Sequence, residues 1–117
     1  MSREIKFRAW HTPFGKQNKS LNRYLYGNKV ISLHDMSPDK YELEQYTGFK
    51  DVNGYAVYEG DVLRDVDDNV IVGYVCWDDV YGGWGMDSGV NSLFDVIGST
   101  EVIGNTHKNP ELLEETK

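Results

Sequence analysis

Hydrophobic and polar positions alternate with a period of two in several short segments of this chain, which is the pattern of half-buried β-strands. The clearest case lies at the start, where the chain has the segment EIKFRAW. Ile5, Phe7 and Ala9 share one face of the predicted strand. Lys6 and Arg8 share the other face, which is therefore expected to be polar.

The next part of the chain is less regular. Residues 11–29 contain proline, glycine, asparagine and several cations without a sustained period, so they predict a loop. Residues 29–33, KVISL, follow a Gly-Asn turn signal and predict a second strand. Residues 37–40, SPDK, predict a turn or a single helical turn, and the alternating segment YELEQY predicts the strand that follows.

Turn signals divide the remainder into short strands. Asn53-Gly54 is a strong hairpin signal because both residues accept a positive φ, and further turns are expected at Gly60-Asp61 and at residues 67–69. The predicted strands cover residues 55–58, 62–64, 70–77, 92–96 and 101–105. The longest of them leads into a glycine-rich aromatic loop or hairpin.

Short strands at a spacing of about ten residues are typical of a small antiparallel barrel. A length of 117 residues fits one domain. We therefore expect a mainly β domain with a basic N-terminal strand or hairpin extension over residues 1–40, a barrel core over 41–106 and a helix and tail over 107–117. The helix is expected to have Asn109 as its N-cap and Pro110 as its first residue.

Cysteine content and hydropathy bear on the compartment. The single Cys76 cannot form an internal disulfide, and its apolar neighbours suggest a small buried hydrophobe. No apolar run approaches the roughly 20 residues that span a bilayer, and the first ten residues contain no apolar signal core. The chain is therefore expected in the cytoplasm.

Charge is unevenly distributed along the chain. The net charge of the chain is −7. Residues 1–30 carry seven basic and one acidic side chain, a net charge of +6. Residues 31–117 carry five basic and eighteen acidic side chains, a net charge of −13. Such a division favours attraction within the fold or between copies of it. A nucleic-acid-binding arm is the alternative, although the acidic remainder would repel phosphate.

Three motifs, in order, resemble those of the YopX-like family of phage and prophage proteins. The start REIKFRAW resembles its R-x-x-K-F-R-x-W pattern, and the centre QYTGFKDVNGYAVYEGDVL resembles its Q-x-T-G-[LF]-x-D-x-N-G run followed by E-G-D. The end VIGNTHKNPELL resembles its V-I-G-N-x-x-x-N-P-E-L-L terminus. The resemblance implies an SH3-type barrel, a phage or prophage source and a tendency to form homo-oligomers, without an agreed activity.

The polar motifs do not predict an enzyme. Asp51 and Asp61 are placed to accept backbone N–H bonds at turns, so a scaffold role is expected for both. The acidic turn at residues 65–69 lacks the glycine and glutamate of a calcium loop, and the three histidines have no zinc spacing. We expect no catalytic residue, no metal and no cofactor.

Two groups remain as candidate binding residues. Trp77, Tyr81 and Trp84, which have acidic residues around them, suggest an anchor for a basic peptide or a partner protein. Core packing is the competing explanation. It is favoured for Trp77, and for Trp84 the two explanations have equal weight. Arg3, Lys6 and Arg8, with Lys16 and Lys19, would serve the alternative function, a nucleic-acid-binding modulator of phage replication or gene expression. The favoured hypothesis is a non-enzymatic, protein-interacting or oligomeric module.

Overall fold

The structure is a computed structural model, and it describes residues 5–15, 21–89 and 91–114. Within these ranges, eight strands form two four-stranded antiparallel sheets and a short helix lies near the C-terminus, which confirms the mainly β fold class. The chain forms two compact units, Met1–Tyr46 and Thr47–Lys117. None of the described helices has the length and apolar character that a transmembrane helix requires.

The first unit contains β1 (Phe7–His11), β2 (Arg23–Tyr26), α1 (Val30–Met36) and the beginning of β3 (Tyr41–Lys50). β1 lies between β2 and β3 and pairs antiparallel with both, so that Ala9 is opposite Leu25 on one side and Leu43 on the other. Ala9 is completely buried. The strand predicted over residues 4–10 is therefore confirmed over residues 7–10, and the one predicted over residues 41–46 is confirmed in full. β2 lies inside the segment that was expected to be a loop.

The strand predicted over residues 29–33 is wrong, because this segment begins α1. Gly27, at φ +107°, turns the chain before the helix. Within the helix, Val30 is buried, and Leu33 and His34 are half-buried. Their spacing of three and four is that of one helical face. A short apolar run is compatible with either structure, and packing of α1 against β1 decides it here.

The polar face predicted for β1 is also wrong at Arg8, which is 4% exposed. Its Nε donates to Glu44 Oε1 at 2.8 Å, and its guanidinium lies 4.1 Å from the centroid of the Tyr24 ring. Glu44 and Tyr26 are directly opposite Arg8 on the two neighbouring strands. Cross-strand partners thus allow the burial of a charge that the alternation rule places in solvent.

The second unit contains the end of β3, which neighbours β4 in its sheet, and a sheet ordered β7-β6-β5-β8. Its elements are β4 (Ala56–Tyr58), β5 (Asp61–Asp65), β6 (Val70–Asp78), β7 (Gly83–Met86), α2 (Leu93–Val96), a 3₁₀ turn (Ile97–Ser99), β8 (Thr100–Asn105) and α3 (Glu111–Glu114). The core consists of Val57, Leu63, Val75, Met86 and Leu93.

The β3–β4 connection is a hairpin at the predicted Asn53-Gly54 signal. Of these two residues only Gly54 has a positive φ, +86°, so the loop is not the two-residue turn that requires both. The Gly54 N–H donates to the Asp51 carbonyl and the Asp51 N–H to the Tyr55 carbonyl. This is the pattern of a type I turn followed by a glycine bulge.

The two motif carboxylates hold backbone, as predicted. Asp51 Oδ1 accepts from the N–H groups of Asn53 and Tyr55, and its Oδ2 accepts from the Val102 N–H of β8, each at 2.9 Å. Asp61 Oδ2 accepts from the Tyr58 N–H at 2.8 Å across the Gly60 turn. Both residues are buried, so their carboxylates are part of the scaffold of the second unit.

The strand predicted over residues 92–96 is wrong, because α2 occupies it. Ser92 is the N-cap, and its Oγ accepts from the Asp95 N–H at 3.2 Å. Leu93 is fully buried in the core, whereas Phe94 is largely exposed. One anchoring residue and a cap are therefore enough to fix a single helical turn here.

The C-terminal motif closes on two asparagines. Asn105 Oδ1 accepts from the backbone N–H groups of His107 and Lys108, and Asn109 Oδ1 accepts from the Asn105 N–H at 3.3 Å. The predicted helix is confirmed as α3, although it begins one residue after Pro110. The side chain of Asn109 thus binds the chain that precedes the helix.

Candidate protein-binding site on the hairpin of β6 and β7

The hairpin of β6 and β7 brings two tryptophans together. The antiparallel register places Trp77 directly opposite Trp84, and their rings meet edge to face with centroids 5.2 Å apart and planes at 83°. The next pair along the same face is Val75 with Met86, both in the core. The tryptophans therefore continue the core-facing side of the hairpin beyond the core.

Their position explains why the two rings differ in burial. Trp84 packs against the core cluster, whereas Trp77 is 48% exposed. The expectation that Trp77 is a core residue is therefore wrong, even though it lies on the core-facing side of its strand.

The turn between the strands, residues 79–82, is fixed by Asp78. Its Oδ1 accepts from the N–H groups of Val80 and Tyr81, both at 3.0 Å, and its carbonyl accepts from the Gly82 N–H at 2.7 Å. Gly82 has a φ of +78°. The hydrogen bonds hold the turn in a shape that leaves Val80 fully exposed and Tyr81 64% exposed.

Tyr81 lies on the opposite face of the hairpin from the tryptophans. A side-chain carbon added to Gly83 would meet the Tyr81 ring at 2.8 Å, so the ring covers the side-chain position of Gly83. Since successive strand residues point to opposite faces, that position is on the other side from Trp84. Apolar surface therefore flanks the hairpin tip on both faces, with Val80 between them.

The hairpin is strongly acidic. Burial raises the pKa of the Cys76 thiol, and the carboxylates of Asp87, Asp78 and Glu59 raise it further. A thiol held in its protonated form is a poor nucleophile. Cys76 is half-buried, so the expectation of a small buried side chain is met only in part.

The basic candidates of the first unit have different positions. Lys6 Nζ lies 4.5 Å from the centroid of the Tyr46 ring, and Arg8 is enclosed with Glu44, which also accepts from the Tyr24 hydroxyl at 2.9 Å. Arg3, like Lys16 and Lys19, lies outside the described residues. The structure therefore leaves little of Arg8 available to a ligand and places Lys6 against an aromatic ring of its own unit.

Sequence reasoning overlooked Val80, the most exposed large apolar side chain of the described residues. A signal was present, since Val80 is a β-branched residue inside the turn sequence DDVYGG, where polar residues are usual. An aliphatic side chain in such a turn has no core to join. Its exposure is therefore a consequence of the turn itself.

A family model described as YopX protein matches residues 6–114. The chain belongs to the YopX family. Among solved structures it is similar to protein EF1440 from Enterococcus faecalis, with 23% sequence identity, a TM-score of 0.56 and coverage of 96% of this chain and 99% of that one. At that identity the likeness shows a shared fold. No match was found among curated proteins.

The motifs of the YopX family and the hairpin tip occupy different parts of this structure. The central and C-terminal motifs contain Asp51, Asp61, Asn105 and Asn109, whose side chains bind backbone N–H groups. Residues 77–84, which form the tip, fall between these motifs. In this YopX family member the motifs thus build the scaffold, and the segment between them carries the exposed apolar groups.

Proposed function

We propose that this YopX family protein is a non-enzymatic phage or prophage accessory protein that works through protein–protein contacts in the host cytoplasm. Its binding surface would lie on the hairpin tip and consist of Trp77, Asp78, Asp79, Val80 and Tyr81. Its ligand would be a basic segment of a partner protein. The observation that supports this most is the exposure of three large apolar side chains among carboxylates, Trp77 near the end of β6 and Val80 and Tyr81 in the fixed turn that follows.

Large apolar side chains are exposed at the hairpin tip. Val80 is 100%, Tyr81 64% and Trp77 48% exposed, and they lie within five consecutive residues. Single exposed apolar residues are common, whereas a group of them at one place is typical of interaction sites. Here Trp77 and Tyr81 lie on the two faces of the hairpin, with Val80 between them. Tryptophan and tyrosine are also the residues that most often contribute strongly to binding energy.

The negative charge of the second unit favours a basic partner. Residues 47–117 carry fourteen acidic and four basic side chains, a net −10, and Asp78 and Asp79 lie at the tip itself. Such a field attracts a cationic segment and repels an anionic one. Lysine and arginine can also approach the faces of exposed aromatic rings.

Selection of peptides from a random library on the immobilised protein tests this proposal and does not require the natural partner. We expect enrichment of sequences that combine lysine or arginine with an apolar residue, and loss of their binding to the Val80→Asp variant. Met36→Asp, which changes an 80% exposed residue of the first unit, is the matched control. Peptides without a basic bias, or equal binding to both variants, would contradict the proposal.

The division of charge also supports self-association. Residues 1–46 carry eight basic and five acidic side chains, a net +3, against −10 for the rest of the chain. Light scattering at low and high salt measures the assembly state, and assemblies held by charge are expected to dissociate as salt screens them. A monomer at every salt concentration would rule out this part of the proposal.

A further inference from the structure

One end of the sheet in the first unit gathers cations from separate segments. The register places His11, the last residue of β1, directly between Arg23 of β2 and Tyr41 of β3. The His11 and Tyr41 rings are stacked, with centroids 4.3 Å apart and planes at 2°. The Thr12 N–H donates to the Lys40 carbonyl at 2.9 Å, which fixes Lys40 beside the end of β1.

Within the described part of the chain, the cations beside His11 have no carboxylate as an ion-pair partner. Arg23 and Lys40 are exposed, and the salt bridges found between described residues do not include either of them. The pKa of His11 is lowered by burial and then by the positive charges of Arg23 and Lys40. The local field is therefore positive in a protein whose net charge is −7.

Other charged groups on the packed elements leave this field in place. Glu42 follows Tyr41 along β3, so its side chain points to the opposite face of the sheet. On α1, which packs against β1, His34 Nδ1 lies 3.9 Å from its neighbour Asp35. Neither carboxylate contributes to the shift in the pKa of His11.

The same end of the sheet has hydrogen-bonding capacity that the chain does not use. His11 Nδ1 and Asn22 Oδ1 are buried without a hydrogen-bond partner, and no other described side chain has such an atom. Asn22 immediately precedes Arg23, so both atoms lie at this end. Buried polar atoms without a partner are rare, and they often mark the position of a water molecule or an ion. His11 Nδ1 can donate to an anion when it carries a proton, whereas Asn22 Oδ1 only accepts and therefore fits a water molecule.

We propose that this cluster, His11 with Arg23 and Lys40, is a binding site for a phosphate group. Arg23 supplies a planar fork that matches phosphate oxygens, and Lys40 supplies a second positive charge on a flexible side chain. A phosphate monoester carries a charge of about −1.5 to −2 at neutral pH, which matches two cations. This site consists of residues of the first unit alone, so its test is independent of the proposed function.

A small phosphorylated ligand fits this site better than a long polyanion. The many carboxylates of the protein would repel an extended phosphate backbone, whereas a single phosphate interacts mainly with the local cations. Binding also places negative charge beside His11 and raises the pKa of its imidazole. Phosphate binding is therefore expected to favour the protonated form of His11.

Titration of the full chain with inorganic phosphate, followed by NMR of the His11 ring and the Arg23 side chain, tests the site. Sodium chloride at matched ionic strength is the reference. We expect saturable shifts, a His11 pKa that rises with phosphate concentration, and at least about tenfold weaker binding in the R23Q/K40Q double variant, a loss of about 1.4 kcal/mol. Lys29→Gln, which removes an exposed cation elsewhere in the unit, should bind as the wild type does.

Two further probes distinguish the sources of the phosphate. Tighter binding of AMP than of inorganic phosphate, lost in the double variant, supports a small phosphorylated ligand. Binding of a single-stranded oligonucleotide that is lost in the double variant would assign the same site to nucleic acid. Shifts that do not saturate, shifts that chloride reproduces, or equal affinity of the wild type and the double variant would overturn the proposal.

Discussion

Trp77 and Trp84 lie directly opposite each other on β6 and β7, in edge-to-face contact, yet only Trp84 packs against the core of its unit. The pair thus joins a structural ring to an exposed one. An edge-to-face contact is worth about 0.5–1.5 kcal/mol beyond burial, so Trp84 helps to hold the position of the exposed ring. The two residues are therefore expected to respond differently to substitution.

Truncation separates their roles. We expect Trp84→Ala to lower the free energy of unfolding by about 2–3 kcal/mol, below the range for a fully buried tryptophan because Trp84 is only partly buried. Trp77→Ala should cost about 1 kcal/mol, mainly through loss of the ring contact. Urea unfolding measures both values, and equal losses would show that exposure does not distinguish the two rings.

Asp51 connects the β3–β4 hairpin to β8 through three backbone N–H groups. Asp51→Asn should lower the free energy of unfolding by about 2–4 kcal/mol, because the amide has one acceptor atom where the carboxylate uses two, and a buried donor without a partner is costly. Asp79→Asn, at an exposed turn position, is the control and should have little effect. A wild-type unfolding curve for the Asp51 variant would contradict the scaffold role.

Gly73 is a position that only glycine fits. Its φ is +137°, and an added side-chain carbon would lie 2.0 Å from Asp87 Oδ1, the atom that accepts from the Tyr74 N–H. Gly73→Ala should therefore destabilise more than the strain of about 1 kcal/mol that alanine brings at a positive φ. Gly98→Ala, where nothing lies within 4 Å, should be neutral by thermal unfolding. Equal melting temperatures would contradict the contact.

Glu101 gives a pH dependence with a definite sign. The Arg64 guanidinium, followed by the Asn53 amide, holds the pKa of Glu101 below its ordinary value of 4.5. A carboxyl whose pKa is lowered in the folded state stabilises the fold at pH values above its pKa in the unfolded chain. This stabilisation is lost as the pH falls through its pKa in the folded state. Glu101→Gln should therefore be less stable than the wild type at pH 7, with a gap that narrows towards pH 3.

Urea midpoints across this pH range measure the gap. Glu111→Gln removes an exposed carboxylate of α3 and should follow the wild-type curve. A constant gap between the Glu101 variant and the wild type would show that the ion pair with Arg64 does not titrate with the fold.

Turns and long strands could be predicted from the sequence, because their signals are local. Gly54 and the turn at residues 67–69 need particular backbone angles, and β6 has enough consecutive β-branched and aromatic residues to favour one structure. The central motif was equally local, and it identified Asp51, the side chain that holds the turn at Gly54. Such features depend little on what packs against them.

Features that depend on a distant partner could not be predicted. Arg8 is buried because Glu44, 36 residues later, comes to lie beside it, and α1 is helical because its apolar face packs on β1. The face of Trp77 was visible in the alternation of β6, but the end of the sheet, which decides its exposure, was not. The aromatic residues of the candidate site could therefore be predicted from the sequence. Their placement on two faces of the hairpin could be seen only in the structure.

The most direct test of the account is the affinity of a library-selected basic peptide for the wild-type protein and for Trp77→Ala, measured by isothermal titration calorimetry. If the hairpin tip is the binding surface, the Trp77 variant should bind at least about tenfold more weakly, a loss of about 1.4 kcal/mol. Phe14→Ala, which changes an exposed aromatic residue of the first unit, should bind as the wild type does. Equal affinity of the wild type and the Trp77 variant would contradict the account.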